Sequence, residues 1–218
     1  MGDEPRTALS GRMLTGLAWA VLVLGLWLWG REITDLPAGS PGAAGALFGT
    51  GLPAAHPPLP GAALPARVVL PSLGVEAPVV ARGLDADGAV DPPPYDRPGT
   101  VGWYGGGARP GAAGPALLVG HVDTASKPAV FYGLSSVAKG DAVRVVRADG
   151  VVARFTVEDV QVYERERFDA AKVYGPRVPG RAELRLITCG GTYDRTAKEY
   201  TANVVVSAYL TGVDGAKK

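Results

Sequence analysis

Residues 141–163 read DAVRVVRADGVVARFTVEDVQVY. Two runs rich in β-branched residues, Asp141–Arg147 and Val151–Tyr163, flank Ala148-Asp149-Gly150. Such residues suit the pleated surface of a strand, and Asp-Gly tolerates the positive φ of a tight hairpin turn. Phe155 and Val157 share one parity, whereas Val160 and Val162 share the other. That slip in phase predicts a bulge or bend near Glu158-Asp159. Working outward, the same kind of run recurs at Arg67–Leu70, Ala77–Ala81, Ala116–Gly120, Ala182–Cys189 and Thr201–Leu210, each bounded by Gly, Pro or Asp turns. Only Phe168–Val173 reads as helical, and it is short. Strands at this spacing predict an all-β domain over 66–211, a closed barrel or a sandwich. No internal repeat is visible.

The composition agrees. The 218 residues include 31 glycines and 19 prolines, just short of a low-complexity composition. Yet 47% are hydrophobic, so the chain folds and its Gly and Pro belong to loops and linkers. With 22 basic and 21 acidic residues the formal charge is +1, which carries no polyanion-binding signature, so no nucleic-acid partner is expected. One cysteine, Cys189, and two histidines, His56 and His121, exclude an internal disulfide and a Cys/His zinc cage. No metal and no cofactor are expected.

Five pieces follow along the chain. Residues 1–12 form a short polar tail. Met13–Gly30, MLTGLAWAVLVLGLWLWG, is uncharged and bracketed by Arg12 and Arg31. As a helix it spans about 27 Å, close to the roughly 30 Å hydrocarbon core of a bilayer. Trp27 and Trp29 stand where an aromatic belt belongs. A buried core helix and a cleavable signal peptide are the rival readings; the length and the missing A-x-A site favour an uncleaved transmembrane anchor. Arg6, Arg12 and the terminal amine precede the span, so the tail is expected in the cytoplasm and the rest outside. Residues 31–65 are dominated by Pro, Gly and Ala and read as a flexible, partly polyproline spacer. His56 falls in it and is expected to lack ordered neighbours. Residues 66–211 are the folded domain, and 212–218 a polar tail.

Chemistry concentrates at strand ends. Cys189 closes the run Leu184–Thr188 and precedes Gly190-Gly191. A packing cysteine sits in mid-element; this one stands where the backbone becomes permissive and a substrate can approach. An idle thiol is also disfavoured outside a membrane. His121 is the first polar side chain past the apolar run Pro115–Gly120. A cysteine nucleophile needs a proton partner, which need not be near in sequence. His121 is the only histidine, and Cys189 the only thiol, of the folded domain. Core packing for the thiol and a surface place for the histidine remain open on position alone. An arginine would complete such a site by stabilising a thiolate or a developing oxyanion. Arg195, six residues past Cys189, and Arg185, which shares its strand parity, are the candidates.

These blocks carry a resemblance. Arg67–Pro71, GVEAPVV (74–80), VGWYGGG (101–107), PALLVGHVD (115–123), PAVFYGL (128–134), KGDAVRVVRADG (139–150), LRLITCGGTYD (184–194) and YTANVVV (200–206) resemble the sortases, most nearly the actinobacterial class F group. The resemblance implies an eight-stranded closed β-barrel with short helices behind one N-terminal transmembrane helix, at the cell membrane with the catalytic domain outside. It implies a cysteine transpeptidase with Cys189 as nucleophile and His121 as general acid/base. The implied partners are surface proteins with LPXTG-like sorting signals, cut after Thr and held as an acyl-thioester, and an amine acceptor from a peptidoglycan precursor or another protein. Thr188 matches the family's Thr before the cysteine and is expected to shape the substrate pocket. The family's arginine, about a dozen residues after the cysteine, has no counterpart in Tyr200-Thr201-Ala202-Asn203. Arg195 is the nearest basic substitute, with Gly190 and Gly191 expected to let its loop fold back over the site; Asn203 is a possible polar donor to substrate.

Three other readings compete. An L,D-transpeptidase would place its cysteine in a Ser-His-Gly-Cys-like block, which Ile187-Thr188-Cys189-Gly190 is not. A membrane-tethered β-barrel binding module would need no reactive thiol. Leu36-Pro37-Ala38-Gly39-Ser40 faintly resembles a sorting signal, but it follows the apolar segment instead of preceding one.

Overall fold

The computed structural model describes residues 51–61 and 63–215. The polar tail, the 13–30 span, residues 31–50 of the spacer and the last three residues lie outside the described residues. Eight strands form a closed barrel: β1 (Pro65–Leu70), β2 (Val75–Arg82), β3 (Val101–Tyr104), β4 (Gly114–Val119), β5 (Ala142–Arg147), β6 (Val152–Glu164), β7 (Ala182–Asp194) and β8 (Glu199–Asp214). Their order around the barrel is β1-β2-β3-β4-β7-β8-β6-β5. The β2–β3 and β4–β7 pairs are parallel and the others antiparallel. One short helix, α1 (Ala170–Tyr174), lies in the β6–β7 connection, with Asp169 capping it by accepting from the Lys172 N–H at 3.1 Å.

The expected all-β closed barrel is therefore present. The hairpin at Ala148-Asp149-Gly150 is closed by Arg147 N–H to Val151 O at 2.9 Å, with Gly150 at φ 79°. The phase slip is a register shift between Val157 and Asp159 in the β6–β8 ladder. One strand escaped the sequence: Val101–Tyr104 has only four residues and runs straight into three glycines. β7 and β8 also run further than expected, to Asp194 and Asp214, because each extends the other's ladder.

Alternation divides the buried side chains into two layers. Val68, Leu70, Trp103, Leu118, Phe131, Phe155, Leu184, Leu186, Val206 and Leu210 pack inside the barrel. Leu117, Val119, Ile187 and Val205 point outward from β4, β7 and β8, and Val90, Val173, Phe168 and Tyr174 cover them. The β4–β7–β8 wall is thus buried on both faces, which is why its strands read as nearly continuous apolar runs.

The far end of that wall corrects the reading of His56. Residues 51–61 lie along the barrel instead of hanging free. The His56 N–H donates to Leu210 O at 2.8 Å and the Leu59 N–H to Gly111 O at 2.7 Å, and the Tyr209 hydroxyl donates to Pro53 O at 2.5 Å. Leu59 packs against the core. A Pro/Ala-rich composition hides such a strap, since main-chain hydrogen bonds leave no side-chain pattern.

Candidate active site

The parallel β4–β7 ladder builds the site. Its register pairs Leu117 with Arg185 and Val119 with Ile187, and the Gly120 N–H continues it to Ile187 O at 3.1 Å. His121 and Cys189 each lie two residues past the last ladder pair, and both meet Tyr95: His121 stacks on its ring and Cys189 lines a groove with it. Alternation fixes the face of Cys189: Ile187 points outward, so Cys189, two residues on in β7, does the same. Gly120 makes this placement possible, because a Cβ there would stand 2.7 Å from both Phe131 and Val130. Those neighbours belong to the segment that returns after His121, with the Phe131 N–H donating to His121 O at 3.0 Å.

Asn203 joins the pair. It lies opposite Cys189 in the β7–β8 ladder and opposite Tyr163 in the β6–β8 ladder, and directly opposed residues share a face. Thr188 does not join it. It alternates with Cys189 and shares the inward parity of Leu184 and Leu186, and its buried hydroxyl has no hydrogen-bond partner. It touches the barrel's rim from within and not the groove.

The thiol is exposed at the floor of a groove of about 1220 Å³, walled by Tyr95, Asp123, Lys127, Arg165, Tyr193, Lys198, Glu199 and Tyr200 among others. Desolvation by these walls pushes the Cys189 pKa up; Arg165 pulls it back down, and Asp123 and Glu199 raise it further. The net shift is upward, so the thiol is protonated at neutral pH and requires a base. The Tyr200 hydroxyl donates to the Asp123 carboxylate, and that bond raises its pKa to about 12. It ties β8 to the segment just past His121. Tyr193 meets Tyr200 edge-on, ring centroids 5.2 Å apart.

The arginines differ from expectation. Gly190 and Gly191 do not fold a loop back. β7 absorbs them in a bulge between Gly190 and Tyr193 and continues to Asp194. Arg195 then sits exposed in the hairpin turn. Six residues of strand carry it up to about 20 Å from Cys189, and the structure does not bring the two together. Arg185 shares the outward face but is buried, clamping the β6–β7 connection. It donates to Val173 O at 3.2 Å, Gly175 O at 3.0 Å and the Glu183 carboxylate at 2.7 Å. Burial opposes the charge on Glu183, but the Arg177 and Val178 N–H groups and Arg185 hold its carboxyl below the ordinary range.

The cation that faces the thiol is Arg165, which sequence reading missed. It follows Glu164, whose ladder partner is Ala202; Ala202 in turn pairs with Gly190. Arg165 therefore enters from the far side of β8, next to Thr201. Its guanidinium pairs with Glu199 at 2.7 Å on the groove wall. In sequence, Glu164-Arg165-Glu166-Arg167 looks like any solvated charged turn; only the β6–β8 pairing singles it out. Tyr95 was missed too. An aromatic ring after Pro92-Pro93-Pro94 was its one available signal.

A closed barrel with an exposed thiol and a histidine that both meet Tyr95, past the last pair of two parallel strands, defines a candidate cysteine enzyme. The sortase domain family matches residues 68–211, and the chain belongs to the sortase family, a family of cysteine transpeptidases. No curated protein matched by sequence. Among solved structures, sortase C-1 of Actinomyces oris is 22% identical with a TM-score of 0.52, covering 67% of this chain and 73% of its own. A lid mutant of Corynebacterium diphtheriae sortase A is 20% identical, TM-score 0.53, with coverage of 69% and 72%. Sortase C2 of Group B Streptococcus pilus island 1 is 20% identical, TM-score 0.51, with coverage of 67% and 73%. At these identities the likeness is one of fold.

Proposed function

We propose that this chain is a class F-type sortase. It cleaves LPXTG-like sorting signals of surface proteins after Thr and transfers them to an amine of the cell wall. The apolar segment 13–30 anchors it in the cell membrane with the barrel outside. The observation that carries the reading is that Cys189 and His121 both meet Tyr95, the thiol lining one groove with it and the imidazole stacked on its ring.

The chemistry follows from that pairing. His121 takes the proton of the raised thiol. The sulfur attacks the Thr carbonyl carbon, and the resulting oxyanion is met by the Arg165 guanidinium; preorganised donors of this kind stabilise acyl-transfer intermediates. As the peptide C–N bond breaks, His121 returns its proton to the leaving amine and the acyl group stays on sulfur as a thioester. An incoming amine then attacks the same carbon and yields its proton to His121, the C–S bond breaks, and the thiol is restored. Asn203, beside the sulfur, offers a polar contact to the bound peptide.

The test is cleavage of a small library of sorting-signal peptides. Wild type should cleave at least one member and, with hydroxylamine, release a hydroxamate. Cys189→Ala should abolish both. Cleavage that survives in Cys189→Ala would end the thiol mechanism.

A further inference from the structure

His121 is held by a segment that the acyl-transfer chemistry does not itself require. Its Nε2 lies 2.6 Å from Pro93 O. A carbonyl oxygen only accepts, so Nε2 carries a hydrogen and donates it. The imidazole also stacks on Tyr95, with ring centroids 4.1 Å apart and planes inclined by 21°. The ring is consequently buried, 7% exposed, while Tyr95 lines the groove with Cys189.

Both partners belong to Asp91–Pro98, between β2 and β3, and this segment is pinned at each end. Arg82 pairs with the Asp91 carboxylate and its Nε donates to Asp91 O at 3.3 Å. The Asp91 N–H donates to Gly83 O at 3.0 Å, and at the other end the Val130 N–H donates to Pro98 O at 2.8 Å. Pro93 is buried and seated over Gly102, where a Cβ would stand 3.2 Å from Pro93 Cδ. Three successive prolines fix φ through the middle of the segment.

We propose that Asp91–Pro98 is a bracket that assigns the two nitrogens of His121. The Pro93 carbonyl engages Nε2–H, Tyr95 fixes the plane of the ring, and Nδ1 is the nitrogen that accepts and returns protons. Which imidazole nitrogen works is set by the bond the other one makes. The proposal rests on the reading of His121 as acid/base and specifies it. Nδ1 takes the thiol proton, gives it to the leaving amine, takes one from the incoming amine, and gives it back to sulfur. Tyr95 acts through His121 and is a positioning residue.

The test is the tautomer itself. His56→Ala leaves His121 as the sole histidine of the full chain. A long-range ¹H–¹⁵N spectrum of this ¹⁵N-histidine-labelled protein, without substrate and at a pH where the ring is neutral, should show Nε2 protonated and Nδ1 bare. A predominant Nδ1–H form would overturn the proposal. Adding Tyr95→Ala should mix the tautomers and lower kcat by up to about 100-fold, the cost of misplacing a reacting group by about an ångström, with a smaller change in KM. Tyr95→Phe, which keeps the ring, should restore the single tautomer and most of kcat. An unchanged tautomer and kcat in Tyr95→Ala would remove Tyr95 from the bracket. The spectrum needs no activity, so a failure of the transpeptidase reading leaves its answer standing.

Discussion

Arg165 can do two separable things for Cys189, and their sizes differ enough to be told apart. It can stabilise the thiolate, or it can meet the oxyanion of the tetrahedral intermediate. The first effect is small. The Arg165 side chain is 53% exposed and already paired with Glu199. Exposed pairs of this kind contribute up to about 1 kcal/mol after solvent screening, roughly fivefold in thiolate population. Loss of an oxyanion donor costs roughly 10²–10³ in rate. Arg165→Ala should therefore slow iodoacetamide alkylation of Cys189 at neutral pH by no more than about fivefold, while kcat/KM for a sorting-signal peptide falls by about 100-fold or more. Arg165→Lys should recover only part of the loss, since an ammonium lacks the guanidinium fork. Arg195→Ala, in the exposed turn, should leave both readouts near wild type. Equal, small losses in alkylation and cleavage for Arg165→Ala would refute the oxyanion role. A large cleavage loss in Arg195→Ala would refute the geometry, because it would require β7 to fold back at its bulge.

The walls that raise the thiol make a second expectation. Asp123→Asn and Glu199→Gln each remove a charge that raises the Cys189 pKa, so the pH midpoint of alkylation should move down in both, and up in Arg165→Ala; a shift of opposite sign in any of the three counts against the assigned contacts. Arg185→Ala should lower unfolding free energy by roughly 1.5–3 kcal/mol, the cost of a lost hydrogen bond to a charged group, since the buried Glu183 carboxylate then keeps Arg181 and the Arg177 and Val178 N–H groups. Glu183 titrates below its unfolded value, so its stabilisation is complete above the ordinary carboxylate range and is lost as pH falls through the lowered value. Arg185→Ala should therefore also move acid unfolding, followed by circular dichroism, to higher pH. Finally, a chain beginning at residue 66 should melt several degrees below one beginning at residue 51. It loses the strap's hydrogen bonds and Leu59's packing, together about 2–4 kcal/mol, at about 2–4 °C per kcal/mol for a domain of this size. Equal melting temperatures would mean that the strap adds nothing.

The barrel was legible because its strands carry two-residue alternation or continuous β-branched runs, and because Asp-Gly and proline punctuate them. Even the bulge at Glu158 left a trace, since one extra residue inverts the parity of Val160 and Val162. What failed to show were elements placed mainly by main-chain hydrogen bonds. Val101–Tyr104 contributes four residues, and its identity as a strand comes from the parallel pairing of Val79 with Val101 and Ala81 with Trp103. The 51–61 strap is the same case, an extended chain whose bonds run through main-chain atoms.

The site divides along the same line. Cys189 and His121 were legible as candidates because each is the first reactive group past an apolar strand, and a strand end is a position that sequence records. Arg165 was not, because its place in the groove depends on which strands are neighbours. Forward along the chain from Cys189 the nearest arginine is Arg195; the barrel instead offers one sideways. β8 has β7 on one edge and β6 on the other, so a side chain beside Thr201 comes as readily from the end of β6 as from β8 itself. Two strand spacings, about 10 Å, are all that separate the β6 and β7 backbones across β8, against about 20 Å along the hairpin to Arg195. A guanidinium can therefore be supplied from a neighbouring strand with the fold unchanged, while supply from the tip of the hairpin would cost the β7–β8 ladder from Tyr193 to Tyr200. The ladder-preserving route is the one that sets Arg165 in the groove with Cys189.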